Sequence, residues 1–349
     1  MKNVVSIAGR LIGTGHRPYV ICEISGNHNG SLERALALID AAAETGCDAI
    51  KIQSYTPDTM TIDCDGDDFK IKKGTWSGYN LYKLYEEAFT PFEWHPAMFK
   101  RAADHGVTIF STPFDETSAD MLDELGAPAF KIASFEIVDL ELIAHVASKK
   151  KPMIISTGMA SLAEIEEAVR TARNSGCDEI ILLHCISSYP APSDQSNLLT
   201  LGHLAEAFDV VGGLSDHTHG TATSVAAVAL GACVIEKHFT LARSDGGPDA
   251  VFSLEPEEFK RLCDDCQNAW ISIGRIDYSK QEAEESNMVF RRSIYVIRDI
   301  KKGEILSREN IKVIRPGYGL APKELNSCLG RKAKCDLKRG TALAFDLFE

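Results

Sequence analysis

Short, continuous apolar runs dominate the hydrophobic pattern of the chain. Eight of them lie between residues 19 and 238, and most are rich in β-branched side chains. Runs of this kind are typical of strands buried on both faces, as in parallel sheets. The runs are residues 19–24, 49–53, 107–111, 129–132, 152–156, 179–184, 210–214 and 233–238. We therefore predict eight strands of one parallel sheet.

Segments with helical spacing separate these runs. Residues 32–45 are amphipathic, and Ser161 with Glu164 forms a capping box that opens a helix ending near Asn174. Further helical patterns cover residues 118–125, 140–149, 197–208, 221–231 and 256–273. Eight strands that alternate with helices over roughly 240 residues predict a (β/α)8 barrel rather than an open sheet.

Other segments depart from this alternation. Residues 1–17 predict a leading strand or hairpin. Residues 54–106 form a long connection with helical patterns at 76–87 and 91–105, and a connection of this length on a barrel usually covers the active-site mouth. From Arg291 onward the pattern changes to short strands and turns rich in Lys and Arg. We predict a barrel domain of residues 1–277, a linker of 278–290 and a small β-rich domain of 291–349.

Polar side chains cluster where the predicted strands end, although a barrel interior is normally apolar. Because side chains alternate along a strand, Lys51 and Gln53 share a face, as do Glu236 and His238, whereas Lys237 points to the other side. Carboxyl ends of parallel strands meet at one rim, so these groups converge. Ammonium and hydroxyl groups bind phosphate or carboxylate, and the set that predicts such a site is Lys51, Lys131, Thr112, Ser134 and Ser215. A Schiff-base lysine is the alternative role for Lys51 or Lys131.

His217 and His238 end two neighbouring predicted strands, and we predict that they share one divalent metal ion. Imidazole ligands suit Mn, Fe, Co or Zn better than Mg. With only two protein ligands, open positions would remain for water and a substrate oxygen, so the metal could act as a Lewis acid. The alternative is that both histidines are ordinary core or loop residues.

Composition limits the partners of the chain. The formal net charge of −13 disfavours nucleic acid and anionic membrane surfaces, since both require a basic face. No apolar run approaches the roughly 18 residues of a membrane span, and the N-terminus lacks a signal-peptide core. The 10 cysteines are scattered without a framework spacing, which predicts reduced thiols in the cytoplasm. Cys263 and Cys266 have C-x-x-C spacing without a second pair, so we predict ordinary helix residues.

Several motifs occur in one fixed order along most of the chain. They are residues 23–30 (EISGNHNG), 51–53 (KIQ), 111–115 (STPFD), 131–136 (KIASFE), 156–159 (STGM), 184–185 (HC), 189–190 (YP), 215–218 (SDHT), 236–240 (EKHFT) and 315–317 (RPG). Together they resemble the sialic acid synthase family of phosphoenolpyruvate-condensing enzymes. Residues 291–349 resemble the small antifreeze-like (SAF) domain of that family.

The resemblance implies a phosphoenolpyruvate-dependent transferase on a (β/α)8 barrel. Its products would be a nine-carbon 2-keto sugar acid and phosphate. The implied cofactor is a divalent metal held by His217 and His238, with Mn²⁺ favoured and Co²⁺ or Mg²⁺ possible. The implied assembly is a domain-swapped homodimer in which the small domain caps the partner's barrel.

Site residues follow from the same resemblance. Phosphoenolpyruvate would contact Lys51, Thr112, Lys131, Ser134, Ser187 and Ser215. The amino sugar would contact Gln53, Glu136, Tyr189, Asp249 and, from the other chain, Arg315. Glu23 would face the metal and the sugar aldehyde, and Glu23 or Glu236 would orient or deprotonate the attacking water.

Three features separate branches of the family. Residues 74–78 (GTWSG) and 244–249 (SDGGPD) resemble the pseudaminic acid synthase branch, and Ser187 stands where N-acetylneuraminate synthases often carry Asn. They favour 2,4-diacetamido-2,4,6-trideoxy-altropyranose as the acceptor. The alternatives are synthesis of N-acetylneuraminate or legionaminic acid, a Schiff-base aldolase, a metallohydrolase, and a carbohydrate-binding protein that uses the small domain for interaction.

Overall fold

A short antiparallel hairpin opens the described part of the chain, as the sequence predicted. The computed structural model describes residues 4–349. In it β1 (Val5–Ile7) pairs with β2 (Arg10–Ile12). Val5 belongs to one apolar cluster with Tyr19 and other residues near the starts of the barrel strands. The hairpin therefore covers the end of the barrel at which the strands begin.

Eight parallel strands close into a barrel, which confirms the predicted (β/α)8 architecture. They are β3 (Tyr19–Glu23), β4 (Ala49–Ser54), β5 (Thr108–Pro113), β6 (Phe130–Ile132), β7 (Met153–Ser156), β8 (Ile180–Cys185), β9 (Val211–Asp216) and β10 (Val234–His238). Each strand pairs with its neighbours in sequence, and β10 pairs with β3 to complete the ring. All eight predicted apolar runs correspond to barrel strands.

Helices surround the strands and bury their apolar faces against them. They are α1 (Leu32–Glu44), α2 (Pro57–Met60), α3 (Leu81–Ala88), α4 (His95–Asp104), α5 (Glu116–Glu124), α6 (Leu140–Ser148), α7 (Leu162–Asn174), α8 (Thr200–Phe208), α9 (Ala222–Ala229) and α10 (Pro256–Ile273). Two apolar clusters fill the layer between the strands and these helices. Cys263 and Cys266 are buried thiols on α10 within that layer, as the sequence predicted.

Local capping explains where several helices begin. Ser161 accepts a hydrogen bond from the backbone N–H of Glu164, whose side chain accepts one from the N–H of Ser161, so the predicted capping box of α7 is present. The helical pattern predicted from residue 76 was too long, because α3 begins only after Asn80 caps the N–H groups of Tyr82 and Lys83. Trp76 lies in the turn before that cap.

A glycine in β9 allows the barrel interior to pack tightly. A Cβ atom at Gly213 would lie 2.5 Å from the carbonyl oxygen of Val234 and 2.6 Å from Cδ2 of Leu183. No side chain fits there without movement of the neighbouring strand β10. Close packing of this kind holds β9 and β10 together below the two histidines.

Residues 275–349 form a second compact unit, and the first unit ends at Gly274. The second unit has turns of 3-10 helix at Glu282–Phe290, an antiparallel pair of β11 (Ser293–Val296) with β12 (Ile311–Ile314), and α11 (Leu325–Cys328). Its own apolar core includes Ile294 and Leu343. The domain boundaries at residues 277 and 290 stay a prediction. Within residues 4–349, the structure contains no helix with the length and apolar character of a membrane span.

Packing around β9 predicts opposite effects for two Gly→Ala substitutions. Gly213→Ala should lower the free energy of unfolding by about 3 kcal/mol, because the new methyl group overlaps backbone atoms. Gly202→Ala, in α8 with no heavy atom within 4 Å of the added Cβ, should raise it by about 0.5–1 kcal/mol. Urea unfolding followed by circular dichroism measures both. A Gly213→Ala protein as stable as the native chain would contradict this account of the packing.

Candidate active site

The carboxyl ends of the barrel strands enclose a cavity of about 420 Å³. This volume lies in the range of small-molecule sites. Most of the residues predicted for the site line it: Lys51, Gln53, Thr112, Lys131, Ser134, Glu136, Tyr189, Ser215, His217, Glu236, His238 and Asp249. Since alternate residues of a strand share a face, β4 supplies both Lys51 and Gln53 and β10 supplies both Glu236 and His238 to the same end of the barrel.

Lys51 lies between two buried carboxylates. Its Nζ is 2.7 Å from Oε2 of Glu23 and 3.5 Å from Oε1 of Glu236. It also donates a hydrogen bond to Oγ1 of Thr112 at 3.3 Å. Glu23 does not line the cavity but lies directly beside it, where its Oε1 accepts a hydrogen bond from Gln53 at 3.3 Å. The two carboxylates balance the charge of Lys51.

Burial and charge shift the pKa values of these groups in different directions. Burial raises the pKa of Glu23 to about 7, although Lys51 opposes the shift. Burial also acts against the charge of Glu236, but Lys131 and Lys51 outweigh it and lower the pKa of that carboxyl group. For Lys51, burial is outweighed by Glu23 and Glu236, so its pKa is raised. Near neutral pH, Glu236 is therefore ionised whereas Glu23 titrates.

Lys131 is the second buried lysine of the site. Its side chain is fully buried, and its Nζ donates to Oγ of Ser156 at 2.6 Å and to the carbonyl oxygen of Ile132 at 2.9 Å. Within residues 4–349, no carboxylate lies at ion-pair distance from it. Burial lowers the pKa of Lys131 to about 8. A buried ammonium group without a direct counter-ion favours the binding of an anionic ligand.

His217 and His238 lie side by side, with ring centroids 5.4 Å apart. Nδ1 of His217 is 3.0 Å from the carbonyl oxygen of Ile186; as the donor to that oxygen, it leaves Nε2 free to act as a ligand. Nδ1 of His238 is buried and has no hydrogen-bond partner among the described residues. Burial and the neighbouring His217 hold the pKa of His238 well below its usual value, so this ring is neutral.

The chemistry of these two rings suits the predicted metal ion, and the metal itself stays a prediction. A neutral buried imidazole with an unsatisfied nitrogen is a suitable donor, and the second ring is oriented by a backbone carbonyl. Within residues 4–349, no group of three or more His, Cys, Asp or Glu side chains is arranged to hold a metal ion. The protein would thus supply two imidazole ligands and leave further positions for ligand oxygen atoms.

Aromatic and acidic groups close the side of the cavity next to the histidines. The ring of Tyr189 packs against His217 with centroids 4.2 Å apart, and it also contacts Trp76 and Phe252. Asp249 is hydrogen-bonded by the hydroxyl group of Ser25, and burial raises the pKa of its carboxyl group.

Glu136 follows β6 in a turn of 3-10 helix and points one unpartnered oxygen, Oε2, into buried space. No donor for that oxygen lies among residues 4–349. Burial raises the pKa of Glu136 to about 7. Together with Asp249 and Tyr189, it offers hydrogen bonds to a polar ligand.

Besides Glu23, two predicted residues lie outside this lining. Ser187 is half-buried and borders Gly158 opposite Ser134, and it does not line the cavity. Arg315 lies in the second unit, directly after β12. The roles of both residues stay predictions.

Comparison with known proteins identifies the family. The NeuB family profile matches residues 38–278, and the SAF domain profile matches residues 291–349. The chain belongs to the NeuB family. The resemblance to sialic acid synthases found in the sequence is confirmed.

Individual relatives are similar over nearly their whole length. The pseudaminic acid synthase of Campylobacter jejuni is 44% identical over 330 residues, covering 95% of this chain and 96% of that protein. The pseudaminic acid synthase of Helicobacter pylori is 41% identical over 333 residues, covering 95% and 98%. The crystal structure of N-acetylneuraminic acid synthetase from Leptospira borgpetersenii, in complex with citrate, superposes with a TM-score of 0.73 at 30% identity, covering 82% of this chain and 96% of that one.

Some lining residues of this NeuB-family chain were not predicted. Ser156 ends β7 and Cys185 ends β8, and both line the cavity. The rule that alternate residues share a face could have found Cys185, because Ile181 and Leu183 already face the barrel interior. His184 points the other way, with Nε2 2.7 Å from the carbonyl oxygen of Ser196.

The long connection between β4 and β5 supplies much of the remaining lining, as the sequence predicted for a segment that covers the mouth. Its contribution is mostly apolar or aromatic: Tyr55, Met60, Ile71, Trp76, Leu81, Leu84, Tyr85 and Ala88. Trp76 is anchored by a hydrogen bond from Nε1 to the carbonyl oxygen of Pro248 at 2.8 Å. The cavity thus has a polar floor of strand ends and an apolar side from this one connection.

The pKa of Lys131 predicts a pH dependence of anion binding. With a pKa of about 8, the ammonium group is charged at pH 7 and mostly neutral at pH 9, so sulfate affinity should fall about tenfold across this range. Calorimetric titration with sulfate measures this, because sulfate itself does not titrate there. The titratable groups facing Lys131 are Glu236, Lys51, Cys185 and Glu23.

The Lys131→Met variant isolates this contribution from the titration of the carboxylates. It should bind sulfate weakly at pH 7 and lose most of the pH dependence. An equally steep decline in native protein and variant would show that another group is responsible.

Proposed function

We propose that this chain condenses phosphoenolpyruvate with the open-chain aldehyde of an N-acetylated amino sugar, giving a nine-carbon 2-keto sugar acid and phosphate. The observation that carries the proposal is Lys131, a buried ammonium group with no carboxylate of residues 4–349 at ion-pair distance, at the floor of a cavity that also holds two buried imidazoles. The family of the chain and its similarity to two pseudaminic acid synthases support the reaction class.

Phosphoenolpyruvate carries a phosphate and a carboxylate, so it requires several cationic or hydroxyl groups close together. Lys131 and Lys51 supply two ammonium groups, and the hydroxyl groups of Thr112, Ser134 and Ser215 lie on the same floor. Ser187, which borders Gly158 as Ser134 does, would join this set after a small shift toward the ligand. These groups are in place before the reaction, so they stabilise developing charge with little reorganisation.

The cofactor that we propose is a divalent metal, with Mn²⁺ favoured and Co²⁺ or Mg²⁺ as alternatives. His217 and His238 would hold it. When bound, it would polarise the aldehyde oxygen of the sugar as a Lewis acid. The neutral state of His238 and its unpartnered nitrogen support this assignment.

The protein groups around the reacting atoms then account for the remaining chemistry. C3 of phosphoenolpyruvate bonds to the aldehyde carbon, the aldehyde oxygen takes the proton of the acid form of Glu23 and becomes a hydroxyl group, and C2 acquires cationic character. Glu236, ionised between the two lysines, lies where it can stabilise that charge. Water adds to C2, and Glu23, with a pKa of about 7, is suited to accept its proton. Loss of phosphate from C2 leaves the ketone.

The apolar side of the cavity favours a deoxygenated acceptor. Ile71 and Leu84 have no group that could hydrogen-bond a sugar hydroxyl, whereas methyl groups of acetamido or 6-deoxy substituents fit against them. A hydrophobic pocket of this kind discriminates against an added hydroxyl group by about 10- to 100-fold. We therefore propose 2,4-diacetamido-2,4,6-trideoxy-altropyranose as the acceptor, with N-acetylneuraminate or legionaminic acid synthesis as alternatives.

A product assay tests the reaction and the acceptor together. Native protein with Mn²⁺, phosphoenolpyruvate and 2,4-diacetamido-2,4,6-trideoxy-altropyranose should release one phosphate per nine-carbon acid found by mass spectrometry. The kcat/KM for this deoxy acceptor should exceed the kcat/KM for N-acetylmannosamine by about 10- to 100-fold, because the 6-hydroxyl group of N-acetylmannosamine would face apolar side chains. Absence of phosphate release with every amino sugar would refute the synthase. Borohydride trapping at Lys131 would indicate a Schiff-base aldolase instead.

A matched pair of variants assigns the preference to the cavity wall. Ile71→Thr should reduce the preference for the deoxy acceptor, since it adds a hydroxyl group to the lining. Ile62→Thr lies in the same connection but is 61% exposed and outside the lining, so it should leave the preference unchanged. Equal effects of both substitutions would contradict the assignment of the acceptor preference to the apolar cavity wall.

For assembly and location, we propose a cytoplasmic, domain-swapped homodimer in which Arg315 of the partner subunit reaches the acylamino group of the sugar. The excess of Lys and Arg in residues 291–349, against a net charge of −13 for the whole chain, favours packing of this unit on an acidic barrel. Buried thiols such as Cys22 and Cys263 suit a reducing compartment, and cell fractionation tests that location.

An experiment that mixes two inactive variants tests the proposed domain swap between subunits. Lys131→Met and Arg315→Ala chains should each be nearly inactive, but mixed dimers should recover about a quarter of the native activity, since half of the dimers would each contain one intact site. If Arg315 served the barrel of its own chain, mixing would restore nothing. Remixed native chains serve as the reference for exchange.

A further inference from the structure

Asp216 and Lys237 stand next to the two histidines in sequence, yet they point to the opposite face of the sheet. The register of β9 and β10 pairs Ser215 with Glu236 and Asp216 with Lys237. Ser215 and Glu236 line the cavity. Leu214 and Ile235, which share the face of Asp216 and Lys237, lie in the apolar layer between strands and helices. An ion pair thus lies in that apolar layer, directly behind the site.

This ion pair is fully buried and fully hydrogen-bonded. The side chains of Lys237 and Asp216 are 0% and 1% exposed, and Nζ lies 2.8 Å from Oδ2 of Asp216. Nζ also donates to the carbonyl oxygen of Thr218 at 2.7 Å and lies 3.4 Å from that of Asp216. Oδ1 of Asp216 accepts from the N–H and the hydroxyl group of Thr218, each at 2.8 Å. Oδ2 accepts from Ser224 at 2.5 Å.

These hydrogen bonds lie on both sides of His217 and link β9, α9 and β10. The side chain of Lys237, which directly precedes His238, is hydrogen-bonded to both Asp216 and Thr218. These two residues lie on either side of His217. Ser224 belongs to α9, the helix that connects the two strands. The cluster therefore ties the backbone of the first histidine to that of the second.

We propose that the Asp216–Lys237 pair is a positioning unit that sets the spacing of His217 and His238 and so determines the affinity for the divalent metal. The pair touches neither substrate nor metal and acts only through the two backbones. The inference rests on the metal assignment made under the proposed function. Burying this ion pair costs desolvation free energy that an apolar pair would not cost. The pair therefore suits a role in fixing one arrangement of the two strands rather than in adding stability.

The double variant D216N/K237M tests this without leaving an unpaired buried charge. We expect a folded chain by circular dichroism whose Kd for Mn²⁺, measured by competition with a chromophoric chelator, rises about 10- to 100-fold, the usual effect of losing an outer-shell partner. The absorption bands of bound Co²⁺ should broaden or shift, since the ring geometry would vary. Phosphoenolpyruvate binding to the metal-free protein should change less than about threefold, because Lys51, Thr112, Lys131 and Ser134 lie outside β9 and β10 and only Ser215 lies next to Asp216.

D48N is the matched control for loss of a buried carboxylate. Asp48 accepts a hydrogen bond from the N–H of Val20 and pairs with Arg17 at the end of the barrel where the strands begin. This substitution should lower the urea midpoint without changing the Kd for Mn²⁺. If D216N/K237M does not fold, S224A removes one bond to Asp216 and should weaken Mn²⁺ binding by a few fold.

The outcomes separate this inference from the proposed function. A folded double variant that binds Mn²⁺ and Co²⁺ like the native protein would overturn the positioning role alone, and so would an unchanged Kd in S224A if the double variant does not fold. Native protein that binds no Mn²⁺ would overturn it together with the metal assignment. Absence of phosphate release despite metal binding would refute the synthase and leave the positioning role intact.

Discussion

The alternation of side chains along closed parallel strands is the constraint on which the site depends. In β9 and β10 it sends Ser215, Glu236 and His238 into the barrel and sends Asp216 and Lys237 into the helix layer. A shift of register by one residue would exchange these sets, burying the imidazoles among helices and placing the ion pair in the cavity. Tight packing at Gly213 helps to hold the register.

The balance between buried lysines and buried carboxylates is the second feature that organises the site. Lys51 is neutralised by Glu23 and Glu236, which keeps that ion group stable in a buried position. Lys131 instead donates to hydroxyl and carbonyl oxygens, and no carboxylate of residues 4–349 lies at ion-pair distance from it. The same burial raises the pKa of Glu23 and Glu136 and lowers that of Lys131. Groups that exchange protons near neutral pH are thereby concentrated where an anionic ligand would complete the charge balance.

The part of the cavity suited to select the acceptor sugar differs from the part suited to the condensation itself. The strand ends form a polar floor, whereas the connection from Tyr55 to Ala88 forms an apolar side and reaches Tyr189 and Pro248 through Trp76. A connection can change without disturbing the barrel, because the strands and helices are packed independently of it. This division explains how one barrel could carry the same condensation to different acceptor sugars.

The sequence by itself determined the barrel and most of its rim. Eight buried runs, their spacing and the alternation rule are local properties, so the eight strands and residues such as Lys51, Lys131, His217 and His238 could be predicted from them. The start of α3 and the contribution of Ile71 to the cavity were not predicted, since an irregular connection has no period and an apolar side chain has no chemical signature. Only the tertiary structure decided which charges are compensated, because ion pairing depends on distances between strands that lie far apart in the chain.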